Sequence, residues 1–171
     1  MDASQSRRAL IAIDANVLLD LAEESEDVTD AVMLIRRRLH QAQFLMPPTV
    51  REELADEVRR GEDFEKKERA QRAFQLARSW NIQPIDLVEA QHDTARRMGR
   101  RLREISLLPE EEVNDGLILA EAALLNSSIL LTSDEHLRGI DFERLTFELQ
   151  SFDVTAPVIA TPREMVKKFF R

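Results

Sequence analysis

The sequence contains no cysteine and no tyrosine, only one tryptophan, and three histidines in 171 residues. The absence of cysteine excludes disulfides and thiolate metal sites, and it suits a reducing cytoplasm, which is the compartment we expect. No two of the histidines His40, His92 and His136 have the spacing of helical metal ligands, which argues against the usual kind of zinc site. Any metal would therefore be held by oxygen ligands, which favours Mg²⁺ or Mn²⁺.

Long hydrophobic runs are also missing. No apolar run approaches the ~20 residues of a membrane helix, so we expect no membrane span. Because residues 1–8 are polar, we expect no signal peptide, and we predict a flexible segment at 1–8 followed by one domain at 9–171. The net charge of -8 argues against broad, nonspecific adhesion to nucleic acid. It does not exclude a nuclease, because an acidic catalytic cluster contributes to that charge.

The apolar runs that are present are short and continuous. Residues 9–13 and 129–131 are apolar throughout, which is typical of strands buried on both faces of a parallel sheet. Shorter candidate strands are "QFLMPP", "NIQPI" and "APVIATP". Helical patterns cover residues 29–41, 50–59 after a Thr49 cap, 62–80, 86–107, a segment opened by Pro109, and a terminal segment from Pro162. Short strands separated by helices predict an α/β sheet with crossover connections.

Two of the predicted strands lead to an aspartate. Asp14 directly follows the first apolar run, and Asp134 follows the run that ends at Leu131. In open parallel sheets, ligand sites lie at the carboxyl ends of the strands, near a change in strand order. We therefore expect these two carboxylates to meet at one edge of the sheet.

Two acids on predicted helices can join them. Asp115 lies one helical step before an apolar stripe that begins at Ile118, and Glu53 lies at the edge of a stripe formed by Val50 and Leu54. Four carboxylates in one place would raise one another's pKa values, and bound divalent cations are the usual compensation. Such cations suit the cleavage of phosphodiesters.

Each acid also has an ordinary structural interpretation. Asp14 or Asp134 alone could be a helix cap, and Asp115 could be an acid that interacts with a helix dipole. Glu53 could be a surface acid like its neighbours. The order and setting of all four acids favour a shared site.

Four segments appear in a characteristic order: "IAIDANVLL", "PTVREEL", "NDGLILAEA" and "LLTSDEHL". The set resembles the PIN-domain family of metal-dependent ribonucleases and, within it, the VapC-type toxins. The ending "VIATPREMV" is also similar to the last strand and helix of that family. The resemblance extends from about residue 9 to 170, and it depends on the ordered set rather than on any single motif.

The resemblance implies a three-layer α/β/α sandwich with a central, mainly parallel sheet. By position, it implies that the catalytic residues and metal ligands are Asp14, Glu53, Asp115 and Asp134, supported by Asn16 and Thr132. The implied reaction is hydrolysis of RNA phosphodiester bonds by a water activated by Mg²⁺ or Mn²⁺. The resemblance further implies that the chain is the toxin of a toxin–antitoxin pair, with an antitoxin protein as partner, and that it forms a homodimer.

An acidic pocket needs basic residues nearby to hold RNA. The segment "TARRMGRRLRE" contains Arg96, Arg97 and Arg100, which we expect to contact the substrate. The alternative is a solvated helix face with internal ion pairs. The charged stretch from 59 to 106 is long for a compact toxin, so the sequence supports a nuclease more strongly than a toxin.

Rival enzyme classes fit the motifs less well. A haloacid-dehalogenase-like phosphatase requires a second acid two residues after the first, where this chain has Asn16. A receiver domain requires an acidic pair before its phosphorylated aspartate, and none is apparent. The remaining alternative is a non-catalytic PIN-like scaffold that binds RNA or protein. Such scaffolds usually lose one or more acids, whereas all four positions are filled here.

Overall fold

The structure is a computed structural model that describes residues 8–169. Its strands are β1 (Leu10–Ile13), β2 (Gln43–Met46), β3 (Gln83–Pro84), β4 (Ile129–Leu131) and β5 (Val158–Ala160). Its helices are α1 (Ala15–Ala22), α2 (Glu26–Arg38), α3 (Pro48–Arg60), α4 (Phe64–Ser79), α5 (Glu89–Glu104), α6 (Val113–Leu124), α7 (Glu135–Arg138), α8 (Phe142–Gln150) and α9 (Pro162–Phe169). The segment predicted to be flexible lies outside the described residues except for Arg8.

The five strands form one parallel sheet in the order β3-β2-β1-β4-β5. The chain moves from β1 outward to β3, and then returns to place β4 and β5 on the other side of β1. The strand order therefore changes direction between β1 and β4, which is where parallel α/β sheets bind ligands. Helices flank the sheet, which confirms the predicted α/β/α arrangement.

Continuous apolar runs form the centre of the sheet because helices cover it. Ile11, Ile13, Leu130 and Leu131 are fully buried, as a strand with two covered faces requires. No helix in residues 8–169 is long and apolar enough to cross a membrane.

Helices α5 and α6 form a tightly packed pair. A Cβ atom on Gly99 would lie 3.0 Å from the carbonyl carbon of Gly116, so the two backbones approach more closely than side chains permit. Helix α6 also contacts α3, which packs on α4 and α1. This packing connects α6, which contains Asp115, with α3, which contains Glu53.

Two predicted helix starts are wrong. The sequence places Pro109 at the start of a helix, whereas α6 begins at Val113. Residues 109–112 form turns instead, and the side chain of Arg103 holds the Glu110 carbonyl oxygen at 3.0 Å. Thr49 is predicted to cap α3, but the cap is Pro47.

The remaining differences concern the boundaries of one helix and two short helices that were not predicted. The helix predicted at 29–41 occupies Glu26–Arg38, where two acids in its first turn interact favourably with the helix dipole. The short helices α7 and α8 are not predicted: α7 has only four residues, and the buried Leu145 and Leu149, four positions apart, are the one periodic signal of α8. The predicted strands at β3 and β5 and the helix start at Pro162 agree with the structure.

Candidate functional site

Asp14 joins the end of β1 to the start of α1 and is 3% exposed. Its Oδ1 accepts a hydrogen bond from the Ala15 N–H at 2.6 Å. Its Oδ2 accepts from the Thr132 hydroxyl at 2.7 Å and from the Asn16 amide at 3.1 Å. Burial raises the pKa of Asp14, and these three hydrogen bonds partly offset that rise. The capping interpretation is therefore correct for this residue, but the cap uses only one of its two oxygens.

Asn16 and Thr132 connect the ends of β1 and β4. The Asn16 amide donates to Thr132 Oγ1 at 3.3 Å, and its Oδ1 accepts from the backbone N–H and hydroxyl of Ser133 at 3.1 and 3.2 Å. Thr132 is fully buried, and its hydroxyl oxygen also accepts from the Asp134 N–H at 3.0 Å. Both residues thus hold the acids of two strand ends in fixed relative positions.

Asp134 ends this segment and caps α7. Its Oδ1 accepts from the N–H groups of His136 and Leu137 at 2.7 and 3.1 Å. After burial, the charge of Asp134 is the next largest cause of the raised pKa of Asp115. Asp134 is therefore both a helix cap and a neighbour of Asp115.

Asp115 lies in the first turn of α6, and its Oδ2 is buried with no hydrogen-bond partner in the described part of the chain. Burial, followed by the charges of Asp134, Asp14 and Glu112, raises its pKa from 3.8 to about 7. A carboxylate in this position is unfavourable without a compensating positive charge.

Glu53 projects from α3, and its Oε1 accepts from the Asn114 amide at 2.6 Å. Burial raises the pKa of Glu53, the Asn114 hydrogen bond lowers it, and the charge of Asp14 raises it further. Glu53 is thus close enough to Asp14 for their charges to interact.

The four predicted acids act on one another electrostatically: the charge of Asp14 raises the pKa values of Glu53 and Asp115, and that of Asp134 raises those of Asp14 and Asp115. Within residues 8–169, however, no three Asp, Glu, His or Cys side chains are arranged as a ready metal site. The chemistry of the donors fits a divalent cation. The four side chains offer only oxygen atoms, which suits Mg²⁺ or Mn²⁺, and the Oδ2 of Asp115 is buried without a hydrogen-bond partner among the described residues.

The three predicted substrate arginines lie exposed on α5. Arg96 donates to Asp93 at 2.5 Å, and Arg97 donates to Thr94 at 3.3 Å. Among the described residues, Arg100 makes no such bond or ion pair. The alternative, in which the arginines bind side chains of their own helix, therefore holds for Arg96 and Arg97. Within residues 8–169, no hydrogen bond joins the three arginines to the four acids.

Three further residues were not found by sequence reasoning. Asn114 binds Glu53, Glu112 adds negative charge beside Asp115, and the buried Glu121 binds Thr49. Glu121 had a visible signal, because it is the only acid within the apolar run "LILAEAALL".

The chain is an α/β domain with acidic side chains where the strand order of its parallel sheet reverses. A site of this class offers oxygen ligands to divalent metals. The model of the PIN domain family matches residues 11–143, and the chain belongs to this family. Members are typically nucleases, and PIN domains generally depend on divalent metals.

Among solved structures, the chain is similar to the crystal structure of VapBC2 from Rickettsia felis bound to a DNA fragment from their promoter. The TM-score is 0.59 and the identity 15%, over 89% of this chain and 98% of the other. This likeness concerns the fold. The search of curated proteins finds no match.

Proposed function

We propose that this chain is a Mg²⁺- or Mn²⁺-dependent endoribonuclease that hydrolyses RNA phosphodiester bonds. The supporting observation is the Asp115 carboxyl, which has a buried oxygen without a partner and lies within the electrostatic reach of two other acids, Asp14 and Asp134. Family membership makes a metal-dependent nuclease the expected activity for such a site.

In this proposal the metal ligands are Asp14, Glu53, Asp115 and Asp134. Asn16 and Thr132 orient Asp14 through hydrogen bonds to its Oδ2. The chemistry that a bound divalent ion supplies is a lower pKa for water and stabilisation of charge on the phosphate. No covalent enzyme intermediate is required.

The substrate is RNA, and Arg96, Arg97 and Arg100 contact its phosphates in this proposal. All three side chains are exposed on one helix, whose partner α6 contains Asp115 in its first turn. Because the chain as a whole is acidic, this local positive charge would bring the phosphate backbone toward the acids.

The test is a Mn²⁺ titration by calorimetry of the wild-type protein and Asp115→Asn, followed by RNA cleavage assays of both. We expect the wild type to bind and cleave, and the variant to lose both properties while remaining folded. Glu111→Gln is the matched control, because it removes an exposed acid from the turn before α6. Undiminished cleavage by Asp115→Asn would reject the site.

We further propose that residues 9–171 form one domain. In this proposal the protein is the cytoplasmic toxin of a toxin–antitoxin pair, and it forms a homodimer. Support comes from the fold shared with a VapBC complex. Expression of the wild type should arrest growth, whereas Asp115→Asn should not, and sedimentation should give twice the chain mass. Normal growth with active wild-type protein would reject the toxin role.

One observation favours the second candidate, a non-catalytic scaffold that binds RNA or protein. Asp14 and Asp134 both cap helices, and within residues 8–169 no three potential ligands are arranged around one ion. A scaffold would bind RNA equally well in the wild type and Asp115→Asn, and neither protein would cleave it with Mn²⁺ present.

A further inference from the structure

Glu121 is a buried carboxylate on α6 that the proposed reaction does not use. It is 3% exposed, and both its oxygens bind Thr49 at the start of α3. Oε2 accepts from the Thr49 N–H at 3.0 Å, and Oε1 accepts from the Thr49 hydroxyl at 2.7 Å. The first N–H groups of a helix have no partner within the helix, so Glu121 supplies a cap that the sequence of α3 lacks.

The residues that these bonds connect lie close in sequence to two of the proposed ligands. Thr49 is four residues before Glu53 in α3, which places both on the same helix face one turn apart. Glu121 is six residues after Asp115 in α6. A second bond between the two helices, from the Asn114 amide to Glu53 at 2.6 Å, lies at the site itself. The two links together fix the position of α3 along α6.

We propose that Glu121 is a positioning residue that holds the first turn of α3 against α6, so that Glu53 stays beside Asn114 and faces the site of Asp115. The inference rests on the proposed function in one respect, namely that Glu53 and Asp115 are metal ligands. The hydrogen bonds of Glu121 in the described residues go to Thr49 and not to either of these acids.

The neighbours of Glu121 in α6 are apolar and buried, and burial raises the pKa of the Glu121 carboxyl. An apolar side chain would leave the Thr49 N–H and hydroxyl without partners. The carboxylate therefore makes a directed connection to one point of α3.

The experiment compares Glu121→Ala, Glu121→Gln and Thr49→Val with the wild type. Gln can accept from the Thr49 N–H and donate to its hydroxyl oxygen, so it conserves both connections. Ile35→Ala on α2 is the control for lost stability, because this fully buried residue lies on a helix that packs chiefly on α9.

Two quantities are measured: Mn²⁺ affinity by calorimetry, and the NMR signals of the Asn114 side-chain amide in metal-free protein. We expect Glu121→Ala to weaken Mn²⁺ binding roughly tenfold, the usual cost of losing support around metal ligands. The Asn114 signals should move toward those of a solvated amide. Thr49→Val should show a smaller change of the same kind, while Glu121→Gln and Ile35→Ala should resemble the wild type.

Wild-type affinity and unchanged Asn114 signals in Glu121→Ala would overturn the inference. An equal loss in Ile35→Ala would also overturn it, because global stability would then be the cause. If Glu121→Ala does not fold, Thr49→Val supplies the comparison. If the wild type binds no Mn²⁺, the proposed metal site fails, and the Asn114 signals decide the positioning role alone.

Discussion

Thr132 donates a hydrogen bond of 2.7 Å to Asp14, and the two residues lie at the ends of adjacent strands although 118 positions separate them in sequence. The same hydroxyl oxygen accepts from the Asp134 N–H. One buried side chain thus fixes two of the proposed ligands relative to each other. The relationship depends on the strand order, which brings β4 beside β1.

Thr132→Val should therefore lower the free energy of unfolding by roughly 1–3 kcal/mol, because it removes a donor from a buried carboxyl oxygen. It should also weaken Mn²⁺ binding, since the orientation of Asp14 depends on that bond. Urea unfolding and calorimetry measure the two effects.

Thr29→Val is the matched control for this substitution. The Thr29 hydroxyl is buried and has no hydrogen-bond partner in residues 8–169. Its removal should leave both quantities close to those of the wild type. Equal effects of the two substitutions would mean that the bond to Asp14 has no special role.

The stability of the metal-free protein should depend on pH through Asp115. Its folded-state pKa is raised to about 7 from 3.8, mainly by burial and then by neighbouring acids. The stabilisation from the protonated form is therefore complete below pH 3.8 and is lost as the pH rises through 7. Asp115→Asn cannot ionise, so its stability relative to the wild type should increase across that interval.

Urea unfolding of both proteins between pH 4 and 8, with a chelator present, measures this difference. Added Mn²⁺ should reverse it in the wild type at pH 8, because an ion that binds only the folded state stabilises that state. A difference between the two proteins that stays constant with pH would contradict the origin assigned to the pKa shift.

The sheet could be predicted from the sequence because strands that are buried on both faces are apolar at every position. Continuous apolar runs identified β1 and β4, and the rule that ligand sites lie at strand ends placed Asp14 and Asp134 at one edge. The closeness of these acids and of Asp115 follows from that topology. Their roles as metal ligands stay a prediction.

The errors arose where a residue outside a helix determines how that helix begins. Thr49 has the chemistry of a helix cap, but its hydroxyl binds Glu121, 72 positions away. The bond from Arg103 to the Glu110 carbonyl likewise joins the end of α5 to the turns before α6, so that helix starts later than Pro109 suggests. Neither partner can be identified from local propensity or periodicity.

Gly99→Ala should separate α5 from α6 at the level of Asp115. The added Cβ would lie 3.0 Å from the Gly116 carbonyl carbon, and backbone atoms in two packed helices cannot move aside easily. We expect a loss of about 1–3 kcal/mol in unfolding free energy, the usual cost of overpacking, and weaker Mn²⁺ binding.

Glu104→Ala tests whether the location matters, because Glu104 is an exposed residue of the same helix and its truncation adds no atom to the contact with α6. Unfolding curves and Mn²⁺ titrations should show lower stability and weaker binding in Gly99→Ala, and wild-type values in the control variant. A Gly99→Ala protein with wild-type stability and affinity would show that the close approach of the two helices does not support the site.

The contribution of α5 to RNA binding is measurable without cleavage in the Asp115→Asn background. Arg100 is exposed and has no hydrogen bond or ion pair in the described part of the chain. Its replacement by Ala should weaken RNA binding and reduce the slope of log affinity against log salt by roughly 0.7, the value for one phosphate contact on a single strand. Arg163→Ala is the control, since Arg163 lies on α9 and pairs with Asp27. Equal slopes in both variants would place the RNA on another surface, because a phosphate contact releases counterions only where it forms.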